Sequence, residues 1–396
     1  MKIKRPWLLM YFVNAFYWMT LYTYVPIFPT YVQNAIAPAI PAARLAATVG
    51  LITGSYGITQ LLFRLPLGMW SDRVRRRKPF VLGGIAVGIA SALVLFFFSS
   101  ANTLFLGRAM AGLAACAYVP LSILITSSFE REHTTRALGY MEASTASGQL
   151  TAMLAGGLVG TLSGDRASFL VAAALGAVAL ALAGFSQESR TGRESVKLKE
   201  LAGALSERTL LVASVLAIFT QAVVFGKGFV FTNIAAAAFH ATAFQKSLLT
   251  VFLILPSILF APVASGKLAP RFGVRVVVTA GFTLQAISCV LAALPSSLAL
   301  LYVSQLLTGW GNSMIFPLLM ALGLSRMADQ RRATAMGFYQ AVYGLGIFGG
   351  PWLTGALISA LGQTAAFWIN AGIATLAAIS ALAFIPGVKR ETPSVL

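Results

Sequence analysis

The sequence predicts an all-α integral membrane protein with twelve transmembrane helices, arranged as two pseudo-symmetric six-helix bundles. Three observations support this fold class. The first is composition: of 396 residues, 58% are hydrophobic and only 10% are charged, and the mean hydropathy is +0.82. A soluble domain carries about 25% charged residues, so a largely water-facing chain is excluded. The second is a series of long apolar runs, and the third is an internal repeat.

The apolar runs define the elements, because a membrane-spanning helix needs about 20 mainly apolar residues. The first run follows Met-Lys-Ile-Lys-Arg and is too long for the apolar region of a signal peptide. We therefore predict it as the first transmembrane helix. The twelve predicted helices cover residues 6–33, 47–70, 80–99, 103–127, 137–161, 167–186, 209–237, 245–265, 275–294, 298–324, 334–361 and 364–386.

The cations between these runs predict the orientation. Of the 29 Lys and Arg residues, 23 fall on one side of the predicted bilayer and three on the other. Lys and Arg are retained on the cytoplasmic side, so both termini are predicted to be cytoplasmic in a multi-pass plasma membrane, by analogy a bacterial inner membrane. The net charge of +18 is then explained by orientation, with the lipid bilayer as partner and no nucleic acid. The remaining three cations, Arg64, Arg108 and Lys227, lie within apolar runs.

The two halves of the chain repeat at a nearly constant offset. Gly68 and Arg73 correspond to Gly266 and Arg271 at an offset of 198, and residues 136–143 correspond to 334–341 at the same offset. The predicted domains are an N-terminal bundle at 1–186, a cytoplasmic linker at 187–208, and a C-terminal bundle at 209–396. Parallel six-helix repeats are a known build of transporters that bind substrate near the bilayer midplane.

The connection Gly68–Lys78 is the most distinctive motif. Its residues Gly68, Ser71, Asp72 and Arg73 resemble the signature loop of the major facilitator superfamily, although Arg75 stands where that motif has Gly. The resemblance implies a secondary transporter that works by alternating access, usually as a monomer, without a cofactor and with a proton gradient as the probable driving force. It also implies that Asp72 and Arg73, with Gly68 and the repeat counterpart Arg271, close the cytoplasmic gate.

Two charged residues inside apolar runs are predicted to serve proton coupling. Arg108 stands in Arg-x-x-x-Gly, which resembles a fourth-helix motif associated with proton transfer in proton-driven members. Glu142 is the only acid well inside an apolar run, and burial there would favour its protonated form. An alternative role for Glu142 is a structural salt bridge with Arg64.

Six residues are predicted to contact substrate. Asn14, Trp18 and Tyr22 form a polar aromatic face on the first helix, which suits a ring-bearing compound. Arg64 precedes the loop in an Arg-x-Pro sequence that resembles superfamily exporters; its alternative is snorkelling to the interface. Lys227, between two glycines, indicates an anion site or a snorkelling side chain, and Gln340 is the repeat counterpart of Glu142.

Two functions remain open at this point. The first is proton-coupled export of an amphipathic small molecule, favoured by Arg64, Arg108 and the aromatic face. The second is transport of an organic anion, favoured by three intramembrane cations against one acid. The first helix has no acid, which counts against cationic substrates. An enzyme is not expected, because we find no nucleophile with an acid–base partner, and no repeated filter sequence indicates a channel.

Overall fold

The computed structural model describes residues 5–74, 76–126, 134–186, 207–294, 297–325, 327 and 329–387. Every regular element in these ranges is helical, because backbone groups inside a bilayer must find hydrogen bonds within their own segment. Twelve helical passes follow the order of the apolar runs, and ten of those described have the length and hydropathy of a membrane span. The predicted all-α membrane fold is confirmed. The linker at 187–208 lies outside the described residues except for its last two positions.

The helices are labelled α1 to α12 in chain order. Their bounds are as follows: α1, Arg5–Tyr22 and Phe28–Ile36; α2, Ala42–Val74; α3, Lys78–Phe97; α4, Ala101–Ala115 and Tyr118–Thr126; α5, Thr134–Ser163; α6, Asp165–Gly184; α7, Arg208–Ala222 continuing through Val223–Phe231, Thr232–Ala235 and Ala236–Phe239; α8, Ala243–Val263 continuing through Ala264–Leu268 and Ala269–Phe272; α9, Val274–Ala293; α10, Leu298–Leu324; α11, Asp329–Leu361; α12, Gln363–Phe384.

Interruptions occur at matching places in α1 and α7, the first helix of each half. The first helix, predicted as one run, is broken between Tyr22 and Phe28. Pro26 and Pro29 stand at this break, and a proline nitrogen cannot donate the helical hydrogen bond. In α7 the corresponding stretch, Val223–Phe231, is a π-helix. Single π-helical turns widen a helix locally and often mark functional sites.

The turns between helices repeat as well. Gly164 joins α5 to α6 with a φ of 85°, and Gly362 joins α11 to α12 with the same φ. The two positions are 198 residues apart, which is the offset found in the sequence. A positive φ is readily available only to glycine, so each half makes this turn with the same residue type in the same backbone conformation.

The two halves meet along two seams, α2 against α11 and α5 against α8. We call the face that carries the Gly68–Lys78 connection the loop face, and the other the opposite face. At the opposite face the backbone N–H of Phe244 on α8 donates to Oγ1 of Thr161 on α5 at 2.9 Å. Lys246 Nζ donates to Oγ1 of Thr30 at 3.3 Å. The halves are therefore held together at the opposite face.

Two glycines of α5 and α8 have free space around them near the loop face. Gly139 on α5 and Gly266 on α8 both lie near the loop face, and each faces open space. The other seam remains in contact in the loop-side part of α2 and α11. A Cβ at Gly337 on α11 would lie 2.6 Å from Cδ2 of Leu65 on α2. Among the described residues, the hydrogen bonds that join the two halves at the α5–α8 seam thus lie at the opposite face.

Candidate functional site

A small cavity lies where the two halves face each other. The N-terminal half contributes side chains from α1, α2 and α4, and the C-terminal half contributes two phenylalanines from the π-helical part of α7. In this conformation the walls lie so close together that no water-sized sphere fits between them. A pocket with mostly apolar walls and one charged group is typical of a small-molecule site. The lining residues are Leu21, Tyr22, Val25, Tyr56, Arg108, Phe225 and Phe229.

Arg108 is the charged group of this cavity. Its guanidinium carbon lies 4.4 Å from the ring centre of Tyr56 and 5.4 Å from that of Phe28. Cation–π contacts of this kind stabilise a cation that has left water. Its Nε and Nη1 are buried without a hydrogen-bond partner among the described residues. Two unsatisfied donors on a buried cation are costly unless a ligand or water accepts from them, so Arg108 would be stabilised by an acceptor that entered when the walls move apart.

The three residues of α1 that were predicted to contact substrate lie in different environments. Tyr22 lines the cavity as expected. Trp18 lies one layer behind it, with ring centres 5.4 Å from Tyr22 and 5.3 Å from Tyr118. Asn14 is fully buried and donates to the carbonyl of Met141 at 3.1 Å. Neither Asn14 nor Trp18 lines the cavity in this structure, because the helical phase of α1 turns Asn14 toward α5; their contact with substrate stays a prediction.

The environment of Glu142 differs from the buried one that the sequence predicted. Its side chain is exposed in the fold. The carboxylate accepts a hydrogen bond of 2.5 Å from the Tyr118 hydroxyl. The aromatic series Tyr118, Trp18 and Tyr22 then connects Glu142 to the cavity. The two residues predicted for proton coupling, Glu142 and Arg108, are therefore linked through α1 and α4.

Arg64 connects the two halves. It is buried, and its Nη1 donates to Oε1 of Gln60 at 2.8 Å and to the hydroxyl of Tyr343 at 3.1 Å. Tyr343 belongs to α11 of the other half. The alternatives for Arg64, snorkelling and a salt bridge to Glu142, are both wrong here, because the guanidinium binds neutral partners at the interface between the halves.

Lys227 lies on the π-helix but points away from the cavity. It is fully buried, and its Nζ donates to Oγ of Ser304 at 2.6 Å, Oγ1 of Thr308 at 2.8 Å and Oγ of Ser288 at 3.4 Å. Snorkelling is excluded by this burial. Lys227 is not among the residues that line the cavity, so its predicted direct contact with substrate is not seen in this structure.

Gln340 is half-buried on α11 and lies outside the cavity between the halves. Its neighbour Tyr343, which binds Arg64, was missed in the sequence. Tyr56, Phe225 and Phe229 were not predicted as cavity residues either. The spacing of Phe225 and Phe229, four residues apart on one helix face, was the available signal, but aromatic residues at this spacing are common in apolar helices.

The predicted gate residues whose side chains are described form no bond between the halves in this structure. Arg73 on α2 and Arg271 on α8 are exposed at the loop face, and Arg271 lies 5.2 Å from the ring of Phe272. Gly68 packs against the Val119 side chain of α4. The side chain of Asp72 lies outside the described set. The gating role therefore stays a prediction.

Two other cations of the connection are engaged. Arg77 is buried, and its Nη1 donates to Oγ of Ser71 at 2.5 Å. Lys78 Nζ donates to the carbonyls of Gly184 and Ser186, both at 2.7 Å. A cation at the last carbonyls of a helix satisfies groups that lack helical partners. These contacts tie the connection to the end of α6 inside the N-terminal half.

The fold and cavity define an integral membrane transporter built from two six-helix halves. The family model described as Major Facilitator Superfamily matches residues 7–234 and 215–395. Together these two overlapping matches span nearly the whole chain. The chain belongs to the major facilitator superfamily, and the resemblance stated from the loop motif is confirmed.

Curated relatives are transport and resistance proteins at low identity. The chain is 26% identical over 329 residues to the class C tetracycline resistance protein of Escherichia coli, which covers 81% of this chain and 82% of that protein. It is 34% identical over 137 residues to the inner membrane transport protein YajR of Escherichia coli K12, covering 34% of this chain and 30% of that protein. These matches support a transporter and not an enzyme.

A solved structure shows the same fold. The POT family transporter PepTSo superimposes with a TM-score of 0.81 at 15% identity, covering 97% of this chain and 98% of that chain. Identity this low shows the fold alone.

Proposed function

We propose that this transporter exports an amphipathic small molecule in exchange for protons by alternating access. The observation that carries the proposal is the cavity shared by the halves, in which Tyr22, Tyr56, Phe225 and Phe229 surround the guanidinium of Arg108. Aromatic faces bind ring-bearing compounds without demanding one shape. The similarity to the class C tetracycline resistance protein points in the same direction.

Closure at one face is what alternating access requires. The bonds at Thr161 and Thr30 join the halves at the opposite face, and Gly139 on α5 and Gly266 on α8 have free space around them near the loop face. A substrate that entered from the loop face would reach the aromatic walls once they move apart, since no water-sized sphere fits between them in this conformation. If the positive-inside orientation is correct, this entry is from the cytoplasm.

The proton would be carried by Glu142 in this proposal. Its carboxylate is exposed on the loop-side part of α5, and the Tyr118 hydroxyl binds it. Through Trp18 and Tyr22, a change at Glu142 reaches the wall that also holds Arg108. Substrate and proton binding can then be coupled by side-chain contacts without sharing one site.

A second function, transport of an organic anion, is favoured by one specific observation. Arg108 presents two buried N–H groups that have no partner among the described residues. A carboxylate or sulfonate would satisfy both donors and compensate the charge. In this case Arg108, and not Lys227, is the anion site.

Reconstituted protein in liposomes separates these functions. The probes are tetracycline, the neutral dye Nile red, the anion carboxyfluorescein and the cation ethidium, each with a pH indicator. We expect movement of tetracycline or Nile red against a proton flux, with the flux abolished in Glu142→Gln. Carboxyfluorescein transport that is lost in Arg108→Gln, with no transport of Nile red, would favour the anion carrier. Proton-independent movement of every probe would refute antiport.

A matched pair of variants tests the cavity itself. Phe229→Leu removes an aromatic wall and is expected to raise KM for the transported amphipath about fivefold, because a lost aromatic contact is worth ~1 kcal/mol. Phe97→Leu is the control, since Phe97 is exposed at the end of α3. Equal KM values for the two variants would show that this cavity does not bind the substrate.

A further inference from the structure

Lys227 is a fully buried cation, and its hydrogen-bond partners among the described residues are neutral. It lies between α7, α9 and α10, in the core of the C-terminal half. Among the described residues, the titratable group that faces it from these helices is the thiol of Cys289. No carboxylate there compensates its charge. An isolated ammonium inside a membrane protein is expensive and marks a functional group more often than a structural one.

The hydroxyl cage around Nζ fits both protonation states of this side chain. Oγ of Ser304 donates to the carbonyl of Ser288 at 2.8 Å, and Oγ1 of Thr308 donates to that of Ser304 at 2.9 Å. Oγ of Ser288 donates to the carbonyl of Gln285 at 2.7 Å. Each oxygen therefore accepts from the ammonium. A hydroxyl can also rotate and donate, so the same cage can serve a neutral amine.

The π-helix connects this cage to the cavity. Phe225 and Phe229 face the cavity on one side of α7, while Lys227, between them in sequence, faces the cage on the other. The carbonyl of Lys227 accepts from Oγ1 of Thr232 at 2.8 Å, which satisfies a group that the widened turn leaves free. A substrate that displaces these two phenylalanines would therefore also displace the segment that positions Nζ of Lys227.

Polar groups also continue from this region toward the loop face. Asn312, one turn beyond Thr308 on α10, is partly exposed. Its amide nitrogen donates to Oγ of Ser257 at 3.5 Å, and its Oδ1 accepts from Oγ1 of Thr220 at 3.4 Å. Gln285 donates to the same Thr220 hydroxyl at 2.8 Å. Polar side chains thus extend from the cage toward the loop face of the C-terminal half.

We propose that Lys227 is a proton-exchanging residue of the C-terminal half, coupled to the substrate through the π-helix of α7. When the ammonium releases its proton, one N–H bond of Nζ breaks, the electron pair stays on nitrogen and the proton passes to water. The reverse step takes a proton from water on the other side of the membrane. Lys227 acts through α7, so it is a coupling residue and does not contact the substrate. The inference rests on the proposed proton-driven transport.

The test separates driven accumulation from exchange. In liposomes loaded with tetracycline or Nile red, whichever the wild type moves, a gradient of one pH unit can drive about tenfold accumulation for one proton per substrate. Lys227→Met has a similar size without the charge, and Lys227→Arg keeps the charge but cannot release it near neutral pH. We expect both variants to lose the accumulation and keep substrate exchange at equal pH.

A second pair of variants covers the case in which Lys227 variants do not fold. Thr308→Val removes one acceptor of the ammonium and is expected to move the pH midpoint of transport to lower pH. Thr283→Val is the matched control, since its hydroxyl on α9 is exposed and bonds only to its own helix at Thr279. A purely structural role for the cage would change stability without moving this midpoint.

The possible results distinguish the two proposals. If the wild type shows no accumulation driven by pH, proton antiport itself is refuted, and the role of Lys227 with it. If the wild type accumulates substrate and both Lys227→Met and Lys227→Arg still do so, only the role of Lys227 is overturned. An unchanged midpoint in Thr308→Val, equal to that of Thr283→Val, would overturn it as well.

Discussion

Replacing Gly50 by alanine should prevent tight closure at the opposite face. Gly50 lies early in α2, where the backbone of α11 in the other half packs directly on it. A Cβ at this position would lie 2.8 Å from the carbonyl carbon of Pro351 and 3.1 Å from Cα of Trp352. Ordinary contacts between carbon atoms are about 3.5–4.0 Å. The two helices must therefore move apart by ~0.7 Å or more to fit one methyl group.

The expected magnitude follows from this overlap. Overpacking of a well-packed contact costs about 1–3 kcal/mol. The clash is between the halves and not within one, so it acts on the equilibrium between states rather than on each half. A difference of about 1–3 kcal/mol changes the ratio of two states by about 5–150-fold. We expect the state closed at the opposite face to lose population by a factor in this range.

Cysteine labelling measures this change. Val25→Cys places a thiol in the cavity, and the native Cys116 and Cys289 are buried. A membrane-impermeant maleimide added from the opposite face should label Val25→Cys at least about fivefold faster when Gly50→Ala is also present, in line with the population shift.

Gly349→Ala is the control for this experiment, because the same methyl group on α11 would meet open space. Equal labelling rates in Gly50→Ala and Gly349→Ala would refute the reasoning. A rate unchanged from Val25→Cys alone would show that the close approach of α2 and α11 does not limit opening.

Two further predictions concern stability within the N-terminal half. Asn14→Ala removes two hydrogen bonds between α1 and α5 and should lower the free energy of unfolding by about 1–3 kcal/mol. A thermal shift assay measures this loss of stability. An unchanged Tm would contradict the structural role of Asn14. Lys78→Met frees two carbonyls at the end of α6 and should lower Tm with little effect on substrate KM. A changed KM with an unchanged Tm would instead assign Lys78 to transport.

The fold could be predicted almost completely from the sequence. Bilayer thickness fixes the length of each apolar run, and lysine and arginine between the runs fix the order of the faces. The repeat at an offset of 198 predicted matched halves, and the equal turns at Gly164 and Gly362 agree with it. The breaks in α1 and α7 were less visible, because a π-helical turn has no clear sequence signal.

The candidate site could be predicted only in part. Arg108 and Tyr22 were found because a charge or a polar ring inside an apolar run is unusual. Asn14 was misplaced because apolar residues surround every membrane helix, so the sequence does not show which face meets the cavity. For the same reason the aromatic partners Phe225 and Phe229 were not separated from ordinary core residues.

The sequence by itself determined that the chain spans a membrane, that it repeats, and which charges lie inside the bilayer. These properties depend on composition and spacing along the chain. The tertiary structure decided the environment of each charge. Arg64 binds Tyr343 across 279 positions, and Lys227 binds Thr308 across 81. Such partners are brought together by helix packing, and the helical phase of each segment determines whether a buried charge meets the cavity, the other half or a cage of hydroxyls.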